Sequence, residues 1–328
     1  MKKIFIIILY FYQINMDINS NKKNLILGAI KNYNWEQLKP FFISLHKANF
    51  KNYDCVMFVD NLSQNTYDKL KSIGVKLYKF PKKYRGVKVN HLRYKLYKEY
   101  LVDKIDNYNI ILHVDVRDTF FQEDLFQIYK NKKDFIGLAY EDGNISQATN
   151  AIWMKGQYGK QIYEELKDKR IICSGTIWGT SKKFYELIKN IWDEIKTLSY
   201  YNLNIHDQTT TNYLIYHKKI FNNCLIFSDN NYGPVMTTDI SKNRNFSFDS
   251  ENNLLNFIDK KKVAIVHQYD RITKLKTIVR DKYIFQSEQN FKIDFIENKN
   301  DMIIKNLKNI IIILGFIFLL IIKLKSKY

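Results

Sequence analysis

Four short apolar stretches, LILGAI (25–30), CVMFVD (55–60), VKLYKF (75–80) and IILHV (110–114), recur through the first half of the chain, and patterns of helical period fill the gaps between them. Parallel strands cannot be joined by tight turns and need crossovers of a dozen or more residues, usually helices. The alternation therefore predicts an α/β fold, a mostly parallel central sheet flanked by helices. Leu38, Phe41, Phe42 and Leu45 share one face of the first helical pattern, which Pro40 either kinks or opens. A short helix is expected from Thr66 to Ile73, and a longer one from Val89 to Ile105 with Leu92, Leu96, Tyr100 and Leu101 at helical spacing. At 328 residues and 46 % hydrophobic the chain can bury an ordinary core, and 15 % aromatic residues with only 3 prolines exclude a disordered protein. The main domain is expected over 23–290.

The two ends raise the question of a membrane. Ile310 to Ile322 (IIIILGFIFLLII) is apolar without a break, with Lys305 and Lys308 before it and Lys323, Lys325 and Lys327 after it. Thirteen residues reach roughly 20 Å, short of the roughly 30 Å hydrocarbon core. Against this, each central Ile, Leu or Phe favours insertion by about 0.3 to 0.6 kcal/mol, and flanking lysines can snorkel. A soluble helix would need one polar face, and this segment has none. The expectation is a single-pass membrane protein: a linker over 291–308, a transmembrane helix over 309–323 and a basic tail over 324–328. Lys2 and Lys3 precede IFIIILYFY, which fits a signal peptide or short anchor within 1–22, although no small-residue cleavage site follows. If the N-terminal run inserts, the domain is lumenal; if only the C-terminal run does, it faces the cytosol.

The balance of 52 Lys+Arg against 33 Asp+Glu, a formal charge of +19, favours polyanionic partners: nucleic acid, anionic lipid headgroups or phosphorylated small molecules. No compact Arg-rich tract accompanies it, so the charge reads as solvated surface and argues weakly for nucleic acid. Cys55, Cys173 and Cys224 sit in apolar surroundings and read as free, buried strand residues. Cys/His spacings for zinc are missing, as are glycine-rich phosphate loops and internal repeats.

The fourth apolar stretch runs into Asp115, Arg117 and Asp118. In open parallel sheets ligands sit outside the carboxyl ends of strands. The two acids are either a surface turn or a site for Mg²⁺ or Mn²⁺, hard cations that take carboxylate oxygens and substrate phosphates. Three later stretches bear on the choice. RIICSGTIWGTSKKF (170–184) reads as a strand carrying Ser174 and Gly175, then a turn and a helix; HDQTTTNYLIY (206–216) as a helix start with Asp207 as N-cap and Asn212 one turn on; KKVAIVHQYDR (261–271) as a strand ending in His267, followed by Asp270 and Arg271. Each also has a plain structural reading: close backbone approach at Gly175, capping by Asp207, a core histidine at His267.

In their order these motifs resemble those of nucleotide-sugar glycosyltransferases of the GT-A fold, most of all the family 8 enzymes of the glycogenin and bacterial galactosyltransferase type. Those carry a strand ending in Asp-x-Asp, an Asn-Ser-Gly strand, an Asp-Gln helix start with a downstream Asn, and a late His after a strand. The resemblance spans roughly residues 23 to 285. It implies Mn²⁺ or Mg²⁺ held by Asp115, Asp118 and His267, and a nucleotide-sugar donor, a UDP-sugar above a GDP-sugar. It further implies Arg93 near the diphosphate, Ser174 and Gly175 lining the sugar pocket, and Asp207 and Gln208 near donor sugar or acceptor. Ala29, Asn32 and Asp60 would flank base and ribose. The acidic motif here is Asp-x-x-Asp, and counting back from Asp124 and Leu125 matches Asp118 to the second family acid. Cys173 replaces the Asn of Asn-Ser-Gly. The family's Gly and Lys-Pro-Trp do not follow His267, and Arg271 or Lys274 could neutralise diphosphate instead.

The implied function is metal-dependent transfer of a sugar to a glycan, protein or lipid acceptor, with retention favoured by analogy. An inverting transfer would need a carboxylate base, for which Asp207 and Glu141, the latter placed just after the strand FIGLAY, are candidates. The alternatives are a non-catalytic sugar-nucleotide or glycan-binding membrane protein of the same fold, and a basic membrane-tethered nucleic-acid binder.

Overall fold

The computed structural model describes residues 22–84, 87–200, 204–241 and 244–284. The apolar runs at both ends, with the expected linker and basic tail, lie outside these residues. Among the described residues no helix is long and apolar enough to cross a membrane.

Strand β1 (Lys23–Lys31) is followed by helix α1 (Trp35–Lys47), β2 (Tyr53–Asp60), α2 (Gln64–Ser72), β3 (Lys76–Lys79), α3 (Val89–Leu101) and β4 (Tyr108–Val114). The expected helix to Ile105 ends at Leu101, and Ile105 begins a separate short 3₁₀ turn. α1 starts at a reciprocal cap: Asn34 Oδ1 accepts the Gln37 N–H at 3.0 Å and Gln37 Oε1 accepts the Asn34 N–H at 3.0 Å. The start is thus set upstream of Pro40, which lies inside the helix and does not open it.

The chain continues through β5 (Thr119–Phe121), α4 (Leu125–Tyr129), β6 (Ile136–Asn144), α5 (Ala148–Leu166), β7 (Arg170–Thr180), α6 (Ser181–Tyr200), α7 (Asp207–Tyr216) and β8 (Leu225–Ser228). Seven of these strands form the main sheet in the order β3-β2-β1-β4-β7-β6-β8. All pairings are parallel except those of β7, which runs against both β4 and β6. The first two crossovers step outward from β1 on one side, and the third returns to place β4 on its other side. The order thus reverses at β1/β4, the point where open α/β sheets leave a crevice at their carboxyl edge.

One face of the sheet is covered by α3, α6 and α7. Leu25, Leu27, Val56 and Ile111 meet Leu92, Leu96 and Tyr97 from α3 and Phe184, Leu187, Ile188, Ile191 and Ile195 from α6, all buried. The α6 positions recur at i, i+3, i+4, i+7 and i+11, one stripe of a 3.6-residue helix. Each such side chain taken from water stabilises the fold by about 1.5–3 kcal/mol. Near α1, an aromatic cluster fastens β5: the rings of Phe41 and Phe121 meet edge-on at 4.9 Å, and Ser44 Oγ accepts the Phe121 N–H at 3.0 Å.

A second sheet was not foreseen in the sequence. β9 (Val235–Thr237) is separated by a short β10 (Ser247–Phe248) and β11 (Leu254–Leu255) ladder from β12 (Ile265–His267), and β12 lies between β5 and β9. The last described α-helix is α8 (Thr273–Val279), which runs on into a π-helical turn over Arg280–Ile284. Two local expectations also change. Cys224 is half-buried and precedes β8 by one residue, so it is not a buried strand residue like Cys55 and Cys173. Glu141 lies within β6, which continues to Asn144 because it pairs irregularly with β7 past Tyr140.

Candidate functional site

Three backbone tethers bring distant residues to the β1/β4 crevice. Beyond the end of β4 the Asp115 N–H donates to Gly175 O at 2.8 Å, which holds Asp115 against β7. The chain then turns into β5, whose Thr119 is paired with His267 of β12. Asp118 O accepts the Gln268 N–H at 2.7 Å, and Gln268 adopts a left-handed φ of 62° that turns the chain sharply after His267. Asp115, Asp118 and His267 each offer one ligand atom, and these atoms lie within 4.8 Å of one another. His267 Nε2 is 3.5 Å from Asp115 Oδ2 and 3.6 Å from Asp118 Oδ1.

The charges within this group differ in environment. Asp118 has an 8 % exposed side chain, and burial raises its pKa, with the charge of Asp115 adding to the effect against the pull of His267 and Arg117. At Asp115 desolvation also acts upward but is outweighed by Arg93 and His267, and the carboxyl lies below its ordinary range. For His267 burial acts downward, yet Cys173, Asp115 and Asp118 outweigh it and the imidazole lies well above its usual value. The three groups together favour positive charge between them.

The residues fit a divalent cation. His267 Nε2 is buried without a hydrogen-bond partner, aimed at the two carboxylates. Two carboxylates and one imidazole suit Mg²⁺ or Mn²⁺. Space is kept by Gly175, where a Cβ would come 2.2 Å from His267 Cε1, 2.6 Å from His267 Nε2 and 2.7 Å from Asp115 Oδ2. The close approach expected at Gly175 is therefore to the site itself.

Arg93 is buried, and both terminal nitrogens of its guanidinium are engaged. Its Nη1 pairs with Asp115, and its Nη2 pairs with Asp207 and donates to Ser174 O at 3.3 Å. It stands behind Asp115 and orients that carboxylate. Asp207 is the first residue of α7 and not its N-cap; His206 caps the helix without a side-chain bond. The Asp207 carboxylate is turned inward, where Arg93 and the hydroxyls of Tyr94 (3.1 Å) and Ser174 (3.3 Å) donate to Oδ2 and Asn90 Nδ2 donates to Oδ1 at 3.3 Å. Sequence reasoning named neither Tyr94 nor Asn90; the only signal was their place beside Arg93 on one helix. Asn212 serves the frame: its amide accepts the Ile172 N–H (2.9 Å) and donates to Ile172 O (2.8 Å), joining α7 to β7.

On the other flank Arg271 Nη1 lies 3.3 Å from Asp118 Oδ2 and also pairs with Asp270, while Arg117 Nη2 lies 3.3 Å from Asp118 Oδ2 and its Nη1 2.6 Å from Asp270 Oδ2. Arg271 is thus beside the acidic group. Lys274 is not: its ammonium sits 4.6 Å over the Phe248 ring, because α8 turns that face away.

Glu141 is buried, and its pKa is pushed up to about 7, chiefly by burial and further by Asp239, against the charge of His267 and hydrogen-bonding reach of Gln208 and Cys173. Gln208 Nε2 also donates to Asn150 Oδ1 at 3.2 Å. At the opposite side of the crevice Ala29 lies within β1, Asn32 follows it with a left-handed φ of 61°, and Asp60 closes β2 in an ion pair with Lys31 at 3.0 Å. Asp60, Tyr67, Lys79 and Lys82 line a cavity of about 360 Å³ at the ends of β2 and β3. A second cavity of about 390 Å³ includes Arg117 and Asp270, on the outer side of the acidic group.

No family model and no curated protein matches the sequence. Two solved structures of LgtC are similar to the chain. An active-site mutant of LgtC has 13 % identity and a TM-score of 0.49, covering 74 % of this chain and 86 % of that one. The galactosyltransferase LgtC in complex with donor and acceptor sugar analogs has 14 % identity and a TM-score of 0.48 over the same shares. A likeness of that degree bears on neither family nor activity.

Proposed function

We propose that this chain is a divalent-metal-dependent glycosyltransferase that moves a sugar from a nucleoside-diphosphate donor, preferably a UDP-sugar, to a glycan, protein or lipid acceptor. The observation that carries the reading is the convergence of Asp115, Asp118 and the buried His267 Nε2, which faces both carboxylates at 3.5 and 3.6 Å, at the carboxyl edge of β4, where the strand order reverses. Asp115, Asp118 and His267 would hold Mn²⁺ or Mg²⁺, and the ion would neutralise charge that grows on the leaving diphosphate. Arg271 borders the acids with a side chain 34 % exposed and is placed to meet the same phosphates. Arg93 keeps Asp115 in position, and Ser174 and Gly175 form the floor beneath the sugar. Ala29, Asn32 and Asp60 lie along the crevice on the side where base and ribose would extend.

Proton transfer is the part with fewest candidates. Asp207 already accepts from four groups and is not free as an inverting base, which leaves Glu141, raised by burial to about 7 and so near the pKa a base needs. We favour a retaining transfer on analogy alone, with Gln208 and Glu141 against the sugar. We also place the enzyme at a membrane through 309–323, facing lumen or cytosol according to which terminal run inserts.

The test is nucleotide release from UDP- and GDP-sugars by the full-length protein in detergent with Mn²⁺. Slow hydrolysis that stops with chelator and with Asp118→Ala is expected; turnover unchanged in that variant refutes the site. A thermal-shift panel identifies the donor, since a ligand at a hundred times its Kd stabilises by about 2.7 kcal/mol.

A further inference from the structure

The side of His267 that faces away from the carboxylates is held by a sulfur atom. Cys173 Sγ lies 3.4 Å from His267 Nδ1, and the Gly175 N–H donates to the same sulfur at 3.4 Å. Cys173 is 1 % exposed and sits in β7, so the sulfur is fixed by the sheet and by its own neighbouring backbone. An imidazole has two nitrogens, and the group met by one decides what the other can do. With the backbone N–H already directed at Sγ, the sulfur acts as acceptor, and Nδ1 of His267 is the nitrogen that carries a proton towards it. When a cation displaces the proton on Nε2, the lone pair it frees is directed into the space between Asp115 and Asp118. Glu141 lies within reach of the same thiol, which gives the S–H its own acceptor.

We propose that Cys173 is a positioning residue for metal binding: it accepts the Nδ1–H of His267 and so presents Nε2 to the cation. The inference rests on the metal reading of Asp115, Asp118 and His267 given above. Partners in this role are usually carboxylates or backbone carbonyls, and removing them costs about 10–100-fold in metal affinity. A sulfur that only filled space would be replaceable by any side chain of its size.

The experiment measures Mn²⁺ affinity of the full-length protein, by calorimetry and by loss of the free-ion electron paramagnetic resonance signal, in wild type, Cys173→Ser, Cys173→Val and His267→Ala. Melting temperatures in chelator report folding separately. Cys173→Ser keeps an acceptor and is expected within about threefold of wild type, whereas Cys173→Val, close in volume and without an acceptor, is expected to bind at least about tenfold more weakly. Equal Mn²⁺ affinity in the Ser and Val variants overturns the positioning role while His267→Ala, if weakened, leaves the metal site standing. Unchanged affinity in His267→Ala overturns both. Should Cys173→Val fail to fold, Cys173→Ala replaces it under the same criterion.

Discussion

Replacing Gly175 with Ala tests the site without touching a ligand or a charge. The added Cβ would sit 2.2 Å from His267 Cε1, whereas carbon atoms rest at about 3.5–4.0 Å. The imidazole would have to recede by roughly 1.3–1.8 Å, the difference between those two figures. It has little room to do so: His267 is 1 % exposed, its strand is paired on both sides, and Cys173 stands behind Nδ1. Metal–ligand distances tolerate about 0.2 Å, so the displaced ring ceases to be a ligand. Disturbing what holds a ligand in place costs about 10–100-fold in metal affinity, and losing the ligand itself should reach the upper end, so we expect Mn²⁺ to bind Gly175→Ala about a hundredfold more weakly. Overpacking adds a stability loss of about 1–3 kcal/mol, measured by urea unfolding in chelator. Gly156 in α5 provides the control, because a Cβ there meets nothing within 4 Å. Gly156→Ala should leave Mn²⁺ binding unchanged and gain a few tenths to about 1 kcal/mol. Wild-type Mn²⁺ affinity in Gly175→Ala would show that the residues around it do not form a metal site.

Arg93→Met leaves Asp115 and Asp207 without their shared cation and should cost about 3–5 kcal/mol by urea unfolding, partly recovered in the double variant with Asp207→Asn; no recovery would mean the pair is not coupled. Asn212→Ala strips both backbone groups of Ile172 of their partner and should lower stability by about 2–3 kcal/mol, with Mn²⁺ affinity of the folded protein held; an unaltered unfolding midpoint contradicts that role. Asp124→Ala removes the cap of α4, which accepts the Phe126 N–H at 2.8 Å and the Lys51 N–H at 3.1 Å, and should cost about 1–2 kcal/mol. Asp118→Asn preserves shape while removing charge, so its loss of Mn²⁺ binding in calorimetry should match that of Asp118→Ala; retained binding would point to Asp115 and His267 alone.

The first four strands and their crossovers were legible because burial repeats locally: alternating or continuous apolar runs mark strands, and a 3.6-residue recurrence marks helices. The same local logic located Asp115 and Asp118 at the end of a strand, and the order of four motifs tied them to His267. It failed where partners are distant. Nothing within RIICSGTIWGT reveals that this strand runs against its neighbours, or that Gly175 O would hold Asp115. The capping reading of Asp207 was reasonable for a helix start, but Arg93, Tyr94 and Ser174 offer its carboxylate better partners inside. Lys274 was near His267 in the chain and is turned away from it in space.

By itself, then, the sequence determined the strands and helices of the first half and which side chains could carry chemistry, since both follow from residue type and short-range period. Only the tertiary structure decided which of them meet. That choice depends on pairing between β5, β9 and β12 and on the reversed β7, contacts between residues far apart in the chain that leave no local trace.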